Sequence, residues 1–238
     1  MKIAVQLYSV RDHIQNGEDL LRVLGEVKAL GYEGVEFALG YFGLSAPVLR
    51  ARLDELGLQA VGTHADILSL EPEDIEETLD FHEAIGCRDV GIGGSAYDIE
   101  DTCELLQQAN EAAEKRGMRV YYHNHSGEFK PSEDGERAID AFLANCWLEL
   151  DTYWSFHAGV DNYAFITEHA DKIIHLHLKD GVDGVPCALG EGNCDLATVV
   201  KAAEDIGLEW LIVENDDPIP NGLADVGRSI QYLKKLLV

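Results

Sequence analysis

The sequence predicts an α/β chain closed into a (β/α)8 TIM barrel. A unit of helix, glycine and strand recurs along it. The unit reads LGYEGVE (30–36), LGLQAVG (56–62), IGCRDVG (85–91), RGMRVYY (116–122) and IGLEWLI (206–212). Each glycine falls where a helix must stop, because it takes the left-handed conformation without a Cβ clash, and a β-rich run follows within two residues. Spacings of roughly 25–30 residues suit one βα unit, and 238 residues suit one barrel domain, 1–238.

Taken in order, strands are predicted at 3–8, 34–37, 59–63, 89–92, 119–123, 147–151, 173–180 and 210–214. Between them, helices are read at 18–30, from Pro47 to 56, from about Pro72 with Ile75, Leu79 and Phe81 turned to the core, and at 99–116. Further helices run through Leu143, at 163–168, at 195–206 and at 223–237. A glycine-rich loop, 181–193, precedes the helix at 195. Strict alternation implies a parallel sheet with right-handed crossovers, and eight units imply closure. An open doubly wound sheet is the alternative, and no Gly-x-Gly-x-x-Gly turn follows strand one.

Bulk properties narrow the function. A formal charge of −26, from 44 acidic and 18 basic side chains, repels phosphate backbones, so neither nucleic acid nor an anionic membrane is the expected partner. The N-terminus has only a short apolar segment before its charges, unlike a signal peptide, and a cytoplasmic location is expected. Five scattered cysteines without a Cys-x-x-Cys pair fit reduced thiols.

Chemistry gathers at the ends of the predicted strands, the catalytic face of such barrels. In IIHLHLKD (173–180), Ile174, Leu176 and Leu178 alternate with His175, His177 and Lys179, giving one apolar and one chemical face. Gln6, Glu36, His64, His123, His125, Asp151, His177, Lys179 and Glu214 are the candidates on that rim. Carboxylates and imidazoles clustered at so many strand ends need a cation or each other, and their oxygens and nitrogens suit Mn, Co, Zn or Mg. Trp154 after strand six could stack on a sugar face. His82 and His169, on helices, are read as surface residues.

The stretches QLYSVRD (6–12), GYEGVEFA (31–38), YHNHSGEF (122–129), LDTYW (150–154), HLHLKD (175–180), LGEGNCD (189–195) and VEND (213–216) together resemble the sugar phosphate isomerase/epimerase superfamily with the xylose isomerase-like barrel. The resemblance covers nearly the whole chain in the expected order. It implies a divalent metal held from strands five to eight by Asp151, His177, Glu214 and, on strand five, Glu128, with a histidine of that strand as the alternative ligand. It further implies His123 or His125 as base, Lys179 as oxyanion partner or acid, and Gln6, Glu36, His64 and Trp154 as substrate contacts. The expected substrate is a small sugar or polyol ketone, isomerised or epimerised through an enediolate. Dehydration or lyase chemistry on the same site, as in inosose dehydratases and 3-keto-glycoside lyases, is the alternative, and a non-catalytic sugar-binding barrel is the third reading. Loops 38–46, 93–98 and 181–194 are expected to set the substrate. A homodimer or a small partner subunit stays open.

Overall fold

Eight parallel strands close into a barrel in the computed structural model, which describes residues 1–93 and 98–237. They are β1 (Lys2–Gln6), β2 (Gly34–Phe37), β3 (Gln59–His64), β4 (Asp89–Gly93), β5 (Arg119–His123), β6 (Trp147–Asp151), β7 (Ile173–Leu178) and β10 (Trp210–Val213). Closure comes from β1 pairing with β10 in the register Ala4↔Ile212 and Val5↔Val213. The helices that return the chain are α1 (Gly17–Leu30), α2 (Ala46–Leu56), α3 (Ile75–Ile85), α4 (Ile99–Glu114), α5 (Ala138–Asn145), α6 (Thr152–His157), α7 (Asn162–Glu168), α8 (Leu196–Asp205) and α9 (Gly222–Leu236). The fold predicted from the repeating unit is the fold found. As expected, glycines end the helices in the left-handed conformation, as at Gly31 (φ 102°) and Gly86 (φ 80°).

Three local features differ from the sequence reading. The glycine-rich segment after β7 holds an antiparallel hairpin of β8 (Asp180–Val182) and β9 (Val185–Cys187). Its anchor is the buried Asp180 carboxylate, which accepts from the N–H groups of Gly181, Gly190, Gly192 and Cys194 at 2.9–3.1 Å. The short α6 follows β6 at once, because Asp151 Oδ1 accepts from the N–H groups of Tyr153 and Trp154 and caps it. Strand one ends at Gln6, and a 3-10 helix, Leu7–His13, takes up the next seven residues. Gly94 and the rest of the loop expected to contact substrate at 94–97 lie outside the described residues.

The outward faces of the strands carry the core. Val5, Val35, Leu148, Leu150, Leu176, Leu178, Leu211 and Val213 pack against α1, α8 and α9, with Val90, Ile92, Val120 and Tyr122 in a second cluster under α3 and α4. The inward faces are different. Only a small apolar plug, Ala4, Val61, Trp210 and Ile212, lies at the N-terminal end of the barrel. Above it the interior is polar. Among the described residues, no helix is long and apolar enough to cross a membrane.

Space for large inward side chains comes from strand residues that lack one. A Cβ on Gly91 would sit 2.3 Å from the Tyr121 ring, and one on Gly34 would sit 2.6 Å from Val61. Gly91→Ala is therefore expected to displace Tyr121 and to destabilise the chain by about 1–3 kcal/mol, the usual range for overpacking. Urea unfolding checks this: a midpoint equal to the parent's would show that the interior has slack at this level.

Candidate metal centre at the barrel mouth

Because side chains alternate along a strand, residues two apart share the inward face. β6 thus sends in Glu149 and Asp151, β5 sends Tyr121 and His123, and β7 sends His175 and His177, with Lys179 just beyond. Glu36, His64 and Glu214 arrive from β2, β3 and the end of β10. Of these, Glu36, Glu149, Asp151, His123, His175, His177, Lys179 and Glu214 are all buried.

The upper layer is built around His177. Its Nδ1 lies 2.8 Å from Glu214 Oε2, and its Nε2 lies 2.6 Å from Glu36 Oε2 and 3.1 Å from Glu149 Oε2. Lys179 Nζ reaches Glu214 Oε2 at 2.6 Å, Asp216 Oδ2 at 2.9 Å and Asp151 Oδ2 at 3.0 Å. Apart from this ion pair, Asp151 Oδ2 is buried with no hydrogen-bond partner. His123 Nε2 stands 3.7 Å from the same Asp151 oxygen. His123, Asp151, His177 and Glu214 can each offer one atom such that all four lie within 4.8 Å of one another.

Two nitrogen and two oxygen donors from neighbouring strands, one oxygen of them without a hydrogen bond, fit a divalent cation of the Mn, Co or Zn type. Burial works against charge on His177, but Glu149, Glu36 and Glu214 outweigh it and hold the imidazole well above its ordinary value. Burial, joined by repulsion from His177, pushes His123 well below its own, so its ring is neutral and ready to donate a lone pair. Burial raises Asp151 and the neighbouring Glu214 adds to this, against the pull of Lys179. Burial also opposes the charge on Lys179, yet Asp151, Glu214 and Asp216 keep it an ammonium.

The other residues singled out from the sequence fall around this set. Glu128 stands apart from it: Oε1 accepts from the Tyr122 hydroxyl at 2.8 Å and Oε2 from the His125 N–H at 3.0 Å, so its carboxylate braces the loop after β5, and His123 is the strand-five residue in the cluster. His125 is half-buried, its ring 5.5 Å from those of both His123 and Trp154. Lys179 Nζ sits 5.7 Å over the Trp154 ring, so Trp154 and His125 wall one side of the mouth. Gln6 Nε2 meets His64 Nδ1 at 3.3 Å, and His64 Nε2 meets Glu149 Oε2 at 2.7 Å. Glu36 pairs with His177 and with the Tyr121 hydroxyl. His82 is not a surface residue: it is buried and bonded to Tyr41.

A second, deeper polar layer holds His175, which the sequence places on the chemical face of β7, and Glu149, which was not among the candidates. Glu149 Oε2 gathers His64, His123 and His177, while its Oε1 lies 3.2 Å from His175 Nδ1. His175 Nε2 in turn lies 3.3 Å from Asp89 Oδ2, and Asp89 accepts both arms of Arg119 at 2.7 Å. The signal was present as residues two before Asp151 and two before His177, that is, on the same inward face.

Residues 24–236 match the xylose isomerase-like TIM barrel family. The chain belongs to that family. Similar curated proteins include the inosose dehydratase of Clostridium beijerinckii, 24% identical over 267 aligned residues that cover 90% of this chain and 88% of that one. The inosose dehydratase of Geobacillus kaustophilus is 25% identical over 189 residues, covering 67% of this chain and 61% of that protein, so here the match spans under two thirds of the relative. In structure the chain resembles a sugar phosphate isomerase/epimerase from Parabacteroides distasonis, with a TM-score of 0.83, 20% identity and 98% of each chain covered. It also resembles an L-ribulose 3-epimerase, with a TM-score of 0.76, 19% identity and coverage of 100% of this chain and 95% of that one. These structural likenesses are likenesses of fold.

The deep layer has a pH signature. Burial opposes a charge on His175, but its contacts with Asp89 and Glu149 win and raise it from 6.5 to about 9. The imidazolium gains these partners only on folding, so the stability it contributes is complete below about pH 6.5 and lost as pH rises through about 9. In metal-stripped protein this is worth about 3 kcal/mol. Unfolding midpoints across that window should fall in the parent and fall less in His175→Gln; equal slopes would remove His175 as the source.

Proposed function

We propose that this barrel is a divalent-metal-dependent enzyme of sugar or cyclitol ketones that removes the proton next to the ketone. The observation that carries the reading is the convergence of His123, Asp151, His177 and Glu214 within 4.8 Å beside Lys179. His123, Asp151, His177 and Glu214 would hold a divalent cation, which would supply positive charge to polarise a carbonyl oxygen. The substrate class is supported by inosose dehydratase relatives and by epimerases of the same fold.

The chain's own residues divide the remaining work. His125 is the better candidate base: its ring is half-buried at the mouth, and among the described residues no side chain hydrogen-bonds it, whereas His123 is held by Glu149. Lys179, kept as an ammonium between three carboxylates, can give a proton to oxygen. Trp154 offers a flat face for the apolar side of a sugar ring. Gln6 and His64 face the mouth from β1 and β3, where polyol hydroxyls need partners. Isomerisation or epimerisation follows if the proton returns to carbon. A second reading, elimination of a β-hydroxyl, is favoured by the presence of an acid, Lys179, beside the metal ligands and by the inosose dehydratase relatives.

Metal analysis of the purified chain should give a bound divalent ion that Asp151→Ala, His177→Ala and Glu214→Ala each lose. His123→Ala should lose it too and Glu128→Ala retain it; the reverse pattern would put Glu128 back among the ligands. With an inosose and a panel of ketohexoses in deuterium oxide, the loaded protein should exchange the α-proton, and His125→Gln should slow this by roughly 10²–10⁴-fold. Release of water with an enone chromophore would select elimination. A loaded protein that exchanges no α-proton with any of these ketones would contradict the reading.

A further inference from the structure

His123 and His177 each turn their two ring nitrogens to different carboxylates. His123 Nε2 faces Asp151 Oδ2 at 3.7 Å, and its Nδ1 faces Glu149 Oε2 at 3.1 Å. His177 Nδ1 faces Glu214 Oε2 at 2.8 Å, while its Nε2 meets Glu36 Oε2 at 2.6 Å and Glu149 Oε2 at 3.1 Å. One nitrogen of each ring thus belongs to the upper set with Asp151 and Glu214. The other turns down to Glu149, where a third imidazole joins: His64 Nε2 lies 2.7 Å from the same oxygen.

His64, His123, Glu149 and His177 can each offer one atom such that all four lie within 4.8 Å of one another. The three rings stand close together, with centroids 4.6, 4.8 and 5.6 Å apart. Three imidazoles and one carboxylate suit zinc, and they are richer in nitrogen than the two imidazoles and two carboxylates above. His123, Glu149 and His177 are buried, and His64 is half-buried. The groove that leads to His64 is lined by Asp66, Asp74 and Glu77 and, among the described residues, by no lysine or arginine, which suits the entry of a cation.

A ligating imidazole donates its other N–H to an acceptor that fixes the ring. For the lower set, Glu214 is placed to accept from His177 Nδ1, and Asp151 stands beside His123 Nε2. For His64 the partner is Gln6, whose amide nitrogen lies 3.3 Å from His64 Nδ1 and whose Oε1 is buried without a hydrogen bond. A half-turn of that amide brings Oε1 to the ring. Gln6 then accepts from Nδ1 and leaves the Nε2 lone pair to a metal.

A neutral imidazole has one lone pair. An ion in the upper set uses His123 Nε2 and His177 Nδ1, whereas one in the lower set uses the opposite nitrogens, so the two positions exclude each other. We infer that His64, His123, Glu149 and His177 form a second position for a divalent ion, selective for Zn²⁺, whose filling takes both imidazoles from the upper set and expels the ion there. Mn²⁺, with less preference for nitrogen, stays above. Zinc in this way opposes the catalytic ion. That consequence rests on the reading of the upper set given above, but zinc binding is read without it.

The parent chain and Asp151→Ala are titrated with Zn²⁺ and with Mn²⁺ under native mass spectrometry, and X-ray absorption counts the imidazoles around bound zinc. Asp151→Ala should hold one Zn²⁺ and no Mn²⁺, and adding His64→Ala to it should weaken zinc roughly tenfold or more. On the parent, zinc should show three imidazoles and should release bound Mn²⁺, never joining it. His64→Ala alone should keep one Mn²⁺, which reports an intact fold. Asp151→Asn, which keeps the cap of α6, replaces Asp151→Ala if that variant does not fold. Four results would each overturn the inference: no zinc on the Asp151 variant, zinc there unaffected by His64→Ala, two imidazoles around zinc in the parent, or zinc and Mn²⁺ held together. Mn²⁺ held by the Asp151 variant as tightly as by the parent contradicts the upper set instead, and the zinc results still decide the lower one.

Discussion

Five carboxylates, Glu36, Asp89, Glu149, Asp151 and Glu214, point into the barrel, and each is buried. Unpaired, such charges cost several kcal/mol apiece, so the interior has to be balanced. Arg119, His175 and Lys179 supply three fixed cations. Lys179 is shared by Asp151, Glu214 and Asp216, so negative charge remains at the top, where Glu36, Asp151 and Glu214 surround His177. A divalent cation there would offset it. Without it, protonated imidazoles must take its place, and both His177 and His64 are held above their ordinary values by the surrounding carboxylates. Metal binding in such a site therefore displaces protons, and the affinity rises with pH.

The fold serves this arrangement by separating two tasks on each strand. Outward residues make the apolar layer that holds the helices; inward residues carry charge. Hydrophobic burial outside can then offset the cost of the polar centre. The deep ion column of Arg119, Asp89, His175 and Glu149 runs from the N-terminal end of the barrel to the ligand layer and fixes the orientation of three histidines through a single oxygen, Glu149 Oε2. Such outer contacts orient ligands and tune their basicity.

Much of this was legible in the sequence. The glycine that closes a helical stretch and the β-rich run after it locate five of the eight barrel strands, β2, β3, β4, β5 and β10, because both follow from local conformational preference, and β-rich composition alone marks the other three. Polar residues at strand ends mark Asp151, His177, Lys179 and Glu214. The rest needed three dimensions. His175 shows in the sequence as part of the chemical face of β7, but that it meets Glu149, one pleat below Asp151, depends on which strands are neighbours. Glu128 looks free to reach the mouth until Tyr122 and the His125 N–H are found to hold it. His82 sits among acidic neighbours on α3, yet Ile75, Leu79 and His82 follow helical spacing and are buried together. The hairpin after β7 depends on Asp180 gathering four N–H groups, which no local pattern announces.

The account stands or falls on the stoichiometry of the barrel interior. Native mass spectrometry of the full chain titrated with Mn²⁺ or Co²⁺ counts the ions directly. The cluster of His123, Asp151, His177 and Glu214 predicts one tightly held divalent ion per chain, absent from Asp151→Ala. No retained ion would contradict the account, and a second ion held as tightly as the first would show that the deep column is not the fixed counter-charge described.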